Sequence, residues 1–323
     1  MISYVLRRLL SLLPVLWAVV TIIWVCVFLL PGDPASLLAG GQRSDPRVIA
    51  RIRSEWGLDD PAGKQYLRYL ARLARGDLGT SYLQGRPVAR VIGEAFPPTA
   101  FLAVSAMLLA SLGGIGLGLL SAAHARRWLD DLLTFLSLVF VSLPAFWLGL
   151  MLILLFASRL GWLPVLGYGM EGLRIPGTGI RLPELRHLVL PAFTLGLISM
   201  GTVARITRAA LLDVLGSDFI RSSAARGSAP TVLYLRHALR NALIPVVTVI
   251  GIDFAALLGG AVATEFVFAW PGLGKAIVRG IADRDLPLVE GGVLCLSLAF
   301  ILVNLAVDLC YLAVDPRVRL RNS

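Results

Sequence analysis

Six apolar runs decide what this chain can become: Leu9–Leu30, Pro98–Ala123, Leu132–Ser158, Leu188–Arg205, Ala242–Ala263 and Val289–Val314. Each is close to the roughly 20 residues that a helix needs to cross a hydrocarbon core of about 30 Å. In lipid, a backbone amide must find its partner inside its own segment, so such runs predict spanning helices rather than a soluble core. Only 15% of the 323 residues are charged, against about 25% in ordinary soluble domains. The expected fold is an all-α polytopic membrane protein with six transmembrane helices. Thr194, Ser199 and Thr202 dilute the fourth run ahead of Arg205. The first run follows Arg7-Arg8 like a signal peptide. Its length exceeds an h-region of about 7–15 residues and no small-residue cleavage site follows, so it reads as an uncleaved span.

The net charge of +10 is spread between the apolar runs rather than gathered in one soluble patch. That distribution argues for membrane orientation and against a nucleic-acid partner. With the N-terminus inside, segments 1–8, 124–131, 206–241 and 315–323 are internal. They hold twelve arginines: Arg7, Arg8, Arg126, Arg127, Arg208, Arg221, Arg226, Arg236, Arg240, Arg317, Arg319 and Arg321. The two shorter external loops hold seven basic residues, and the 31–97 loop is long enough to be translocated whatever its charge. Both termini are therefore expected in the cytoplasm. The division of the chain is 1–30 for the N-terminus and first span, 31–97 for an external loop, 98–314 for a core of five spans and 315–323 for a tail.

The 31–97 loop carries helical spacing of its own at Pro46–Leu58 and Gln65–Ala74, with cap and turn signals at 58–61 and 76–79. A small ordered cap on the outer membrane face is predicted. Gly113 to Gly118 and Gly259-Gly260 are expected to let helices approach closely. Cys26, Cys295 and Cys310 all lie within apolar runs, and the three histidines are far apart, so no metal spacing occurs.

The chemistry of an energy source is missing. Pro271-Gly272-Leu273-Gly274-Lys275-Ala276 lacks the glycine spacing and the Ser/Thr of a phosphate-binding loop. No GxSxG elbow or HExxH occurs. The chain is not read as an enzyme, and uphill movement would need an ion gradient or another subunit. Asp253 is the clear ionisable residue at mid-membrane depth, while Asp308 lies near enough to the cytosolic end to reach Arg317 or Arg319. A lone Asp253 admits an ion-coupled secondary transporter, although a structural hydrogen bond to a neighbouring helix suits it better.

The internal stretch from Leu211 to Arg240 is the most informative. Ser217 or Asp218 can cap a short helix that runs to Arg226, where Gly227 supplies a left-handed stop. Ala224 and Ala225 keep that helix slim enough to enter a groove on another protein. A second segment, Thr231–Asn241, puts Val232, Leu235 and Leu239 on one face, with Arg236 and Arg240 beside it.

This arrangement resembles the coupling loop of ABC-importer permeases, in which a pair of small residues is followed by glycine. Ala224, Ala225 and Gly227 match that part, and the acidic first residue is missing. His237-Ala238-Leu239-Arg240-Asn241-Ala242 is similar to the H-x-L-R-N-A of the dipeptide/oligopeptide/nickel permeases of the first type, the permease B proteins. Further matching strings are Leu30-Pro31-Gly32-Asp33-Pro34, Gly76-Asp77-Leu78-Gly79, Phe268-Ala269-Trp270-Pro271-Gly272-Leu273-Gly274 and Asp315-Pro316-Arg317. The resemblance runs along nearly the whole chain. It implies the type I ABC importer permease fold in a bacterial inner membrane. Implied partners are a second homologous permease, two cytoplasmic ATPases, an external substrate-binding protein and membrane lipid. ATP and Mg²⁺ would sit on the ATPases, with no cofactor on this chain. Asp218, Ala224, Ala225, Gly227, His237 and Arg240 would form the ATPase-coupling loop, and Asp253, Phe146 and Trp147 would line the pathway or pack. The expected cargo is a di- or oligopeptide, with nickel or a metal chelate as the alternative.

Overall fold

The computed structural model describes residues 2–29, 47, 50, 53, 59–169 and 183–314. Helix α1 covers Ile2–Leu29, α2 Ala62–Ala74, α3 Val88–Ala123 and α4 Trp128–Ser142. Helix α5, Ala145–Leu152, continues as a π-helical stretch to Arg159. Helix α6 covers Leu185–Leu215, α7 Asp218–Ala225, α8 Leu239–Val267, α9 Leu273–Ala282 and α10 Leu286–Val314.

Among the described residues, four helices are long and apolar enough to cross a membrane: α3, α6, α8 with its π-helical lead from Leu233, and α10 to Val307. The described side chains of α1 give a shorter apolar stretch, Leu13–Cys26. The third expected span, Leu132–Ser158, is not one straight helix. Helices α4 and α5 meet at 106° and make at most one further span together. Pro144 explains the break, because proline drives the preceding residue out of the α-region. Leu143 (φ −80°, ψ 132°) and Pro144 (φ −62°, ψ 129°) are both extended.

The core lies between α3, α6 and α8, where Leu102, Ala106 and Ala110 meet Ala192, Leu195, Leu257 and Ala261. Glycine sets the closeness of α3 to α6. A Cβ at Gly118 would lie 2.6 Å from the Ala204 carbonyl oxygen, and one at Gly114 would lie 2.7 Å from Val203 Cβ. Small residues thus bring two helices together without a hydrophobic driving force in lipid. The same expectation fails for Gly259 and Gly260, where an added Cβ would meet nothing within 4 Å in this chain.

The two ends of the bundle carry different connections. At the start of α3, Val88, Val91 and Ile92 pack on Leu273 and Ile277 of α9 and Leu288 of α10. Helix α2 sits at this end, its Tyr69 clustered with Val20 and Ile23 of α1 and Leu294 of α10. Asp285 pins the turn before α3, accepting the Tyr82 amide at 3.1 Å and pairing with the Ser81 hydroxyl. At the far end of α3, Ala122 packs with Leu211, Ile220 of α7, Ala238 and Ala242. Segments 59–87 and 268–287 therefore share one end, and 124–131 and 216–238 share the other, as charge alternation along the chain predicts. The helix expected at 46–58 is described only at residues 47, 50 and 53, and the Leu30–Pro34 string, the Asp308 side chain and the 315–323 tail fall outside what is described.

Candidate functional site

The short helix expected after Gly216 is present as α7. Ser217 occupies its N-cap position with extended backbone (φ −77°, ψ 152°), although its hydroxyl donates back to the Val214 carbonyl. Asp218 lies instead in the first turn, where a carboxylate suits the positive end of the helix dipole. Gly227 has φ +81°, and its amide closes the helix on the Ala224 carbonyl at 2.9 Å. Ile220 and Ser223 face the bundle and are buried. Asp218, Phe219, Ala224 and Ala225 are left exposed. The outward face is small at its C-terminal end and carries one aromatic side chain.

The second segment differs from expectation. Pro230–Val232 is a helical turn, and Leu233–Ala238 is π-helical and runs directly into α8. The wider π repeat turns the helix face. Val232 (39% exposed) and Leu235 (54%) point outward, while Ala238 and Ala242 are buried. His237 is half-buried and Arg240 exposed. Phe219, Val232 and Leu235 are thus apolar side chains left open at the α7 end of the bundle.

Ile220 holds α7 to the bundle, and the polar fastening of the helix ends beside it was not read from the sequence. Asp130, in the first turn of α4, is 2% exposed. Arg208 of α6 grips it as a fork, with Nε donating to Oδ1 at 2.6 Å and Nη2 to Oδ2 at 2.7 Å. The Ser121 hydroxyl and the Arg126 amide (3.0 Å) complete its partners. The fork ties the ends of α3 and α6 to the start of α4, seven residues before α6 gives way to α7. Asp130-Asp131 at a helix start was the available signal, but nothing local points to Arg208.

Glu265 performs the corresponding task at the opposite end. It is fully buried, takes the Thr99 hydroxyl at 2.6 Å and the Lys275 amide at 2.8 Å, and so caps α9. Trp270 Nε1 donates to the Pro98 carbonyl at 3.0 Å. A Cβ on Gly272 would fall 2.0 Å from Glu265 Oε1, which is why the Trp270-Pro271-Gly272-Leu273-Gly274 string needs glycine there.

Asp253 stands at the centre of α8 and is half-buried, with Ser199 of α6 beside it. Phe146 and Trp147 lie just past the α4–α5 break and are 54% and 43% exposed. These three residues are not gathered with α7 into one site. The surface around α7 is made of exposed small and apolar side chains.

The description "Binding-protein-dependent transport system inner membrane component" matches residues 114–320, and the corresponding N-terminal family matches residues 1–103. The glutathione transport system permease protein GsiC of Salmonella paratyphi A is 42% identical over 319 residues, covering 99% of each chain. Its counterpart from Escherichia coli K12 is 40% identical over the same length and coverage. Among solved structures, an inward-facing MetNI methionine ABC transporter matches with TM-score 0.55 at 19% identity, covering 68% of this chain and 93% of that one. An amino acid ABC transporter matches with TM-score 0.51 at 13% identity, covering 69% and 94%. At such identities these structures speak to the fold alone.

Proposed function

The chain belongs to the family of binding-protein-dependent transport system inner membrane components, and from that premise we propose that it forms half of the pathway for a short peptide such as glutathione. It is a permease subunit of an ATP-binding-cassette importer and a multi-pass inner-membrane protein. Such a subunit works with an ATPase and a binding protein. The observation that carries the cargo reading is the 42% identity, over 99% of both chains, to a glutathione transport permease.

The test is reconstitution of the complete importer in liposomes with its binding protein. ATP-dependent accumulation of labelled glutathione or a dipeptide is expected, lost when either the ATPase or the binding protein is omitted. Accumulation of nickel in place of any peptide would overturn the cargo assignment. Uptake by this chain alone under a proton gradient would support ion coupling through Asp253 instead.

The architecture that fits this role has six spans: α1, α3, the α4–α5 pair, α6, α8 and α10. Two permeases would enclose the pathway between them, with two ATPases below and residues 31–97 as the external cap. Helix α7 would enter a cleft of one ATPase, with Ala224, Ala225 and Gly227 at the contact and Asp218, His237 and Arg240 around it. ATP-driven closure would displace α7 and, through the Asp130–Arg208 fork, the ends of α3, α4 and α6. Rocking between two openings requires only that the nucleotide-bound ATPases favour one of them. The sidedness is checked with fused reporters. One placed after Gly63 should be active only outside the inner membrane, and one after Ser323 only in the cytoplasm. The reverse pattern would put α7 out of reach of any ATPase.

A further inference from the structure

Helix α2 divides its surface three ways. Tyr66, Tyr69 and Leu73 turn inward against α1 and α10. Lys64, Arg68 and the C-cap Arg75 are exposed, and 3.6 residues per turn places them within about 40° of one another around the axis. Between these faces lies an exposed apolar flank, Leu67 at 66% exposure with Ala71 and Ala74. No residue of α2 is acidic, and Arg68 pairs with Asp60 just ahead of it. The helix lies at lipid depth. The Tyr66 and Thr21 hydroxyls share a hydrogen bond of 2.6 Å, and Trp24 meets the Tyr66 ring edge-on at 5.2 Å between centroids. Thr21 and Trp24 both belong to the second half of Leu13–Cys26, the apolar stretch of α1.

We propose that the ridge of Lys64, Arg68 and Arg75 binds the phosphates of anionic phospholipids and so holds α2 in the membrane interface. A basic face beside an apolar one is the pattern of helices that lie in that interface, and tryptophan and tyrosine at a span end mark the headgroup level. At that level Leu67 reaches the acyl chains while the cations beside it meet the phosphates, to which guanidinium donates two parallel hydrogen bonds. A lipid surface suits the ridge better than an acidic protein does, because α2 lies alongside α1 at the depth of its apolar stretch. The inference takes from the proposed function only the membrane face on which α2 lies, and it does not depend on the cargo.

The test is hydrogen exchange of the α2 amides in the complete importer, reconstituted in nanodiscs of phosphatidylcholine alone or mixed with phosphatidylglycerol. Phosphatidylglycerol should slow exchange across 62–75. Lys64→Gln together with Arg75→Gln should weaken that protection roughly 30-fold, about fivefold for each charge at an anionic surface. Lys64→Arg with Arg75→Lys keeps both charges and should keep the protection. At 1 M salt, where the screening length falls to about 3 Å, the difference between the lipids should vanish. Equal exchange in the two kinds of nanodisc, or phosphatidylglycerol protection unchanged in the double Gln variant, would overturn the proposal. Protection of α2 by loaded binding protein, with no effect of phosphatidylglycerol, would assign the ridge to a protein partner instead. Nanodiscs leave both membrane faces open, so this outcome is independent of sidedness, which the reporter after Gly63 tests by itself.

Discussion

Ala225→Glu is expected to abolish cargo-stimulated ATP hydrolysis while leaving the permease folded and inserted. Ala225 is the last residue of α7 and is exposed, so a longer side chain there disturbs nothing inside the chain. Against a partner, the same change places a charge in the slimmest part of the docking face. Truncations at the centre of protein interfaces cost about 2 kcal/mol or more, and a buried unpaired charge is at least as disruptive, so docking should weaken on the order of 30-fold. Gly227→Pro should act alike for a backbone reason. Proline fixes φ near −65° and has no amide, whereas Gly227 needs φ +81° and donates to Ala224. Gly227→Ala is the graded control. Its Cβ meets nothing within 4 Å, so only the left-handed backbone is penalised, by about 1–2 kcal/mol. The measurement is ATPase activity of the assembled complex with and without loaded binding protein. Full stimulation in an assembled Ala225→Glu complex would remove α7 from the coupling role.

Helix α7 was legible in the sequence because its signals are local. A serine, a short apolar-polar turn and a glycine stop lie within eleven residues, and each acts through its own backbone. The same holds for α2, whose helical spacing placed it within three residues of its observed start. Pro144 was equally visible, yet the apolar run across it hid the break, since hydropathy does not record backbone direction. The π-helical entry to α8 was illegible for a related reason: one residue more per turn moves Val232 and Leu235 to another face with no change in composition. The polar contacts that fasten the bundle were out of reach altogether. Thr99 meets Glu265 across 166 positions and Asp130 meets Arg208 across 78. Only the packing of α3 on α8 and of α4 on α6, whose neighbours the sequence does not name, brings those pairs together.

Arg208→Ala should destabilise the permease strongly and uncouple α7 from the spans. Removing one partner of a buried ion pair typically costs about 3–5 kcal/mol, because the other charge stays buried without compensation. Asp130 retains 3% side-chain exposure against 31% for Arg208, so the stranded carboxylate accounts for most of the loss and the lower end of that range applies. The Ser121 hydroxyl and Arg126 amide remain as its donors, and neither carries charge. Asp130→Asn should be milder, since its residual charge, on Arg208, can turn toward solvent. Thermal unfolding of the purified complex orders the two variants, and a double-mutant cycle with Asp130→Leu and Arg208→Met isolates the pair. The double variant should recover part of the loss in stability but little of the coupling between ATP hydrolysis and uptake. Hydrophobic side chains can fill the space, but they cannot hold α4 to α6 through a directed fork. Unchanged unfolding in Arg208→Ala would mean that α6 reaches the bundle through glycine packing alone, and the motion of α7 would then have to travel through Ile220 and its apolar neighbours.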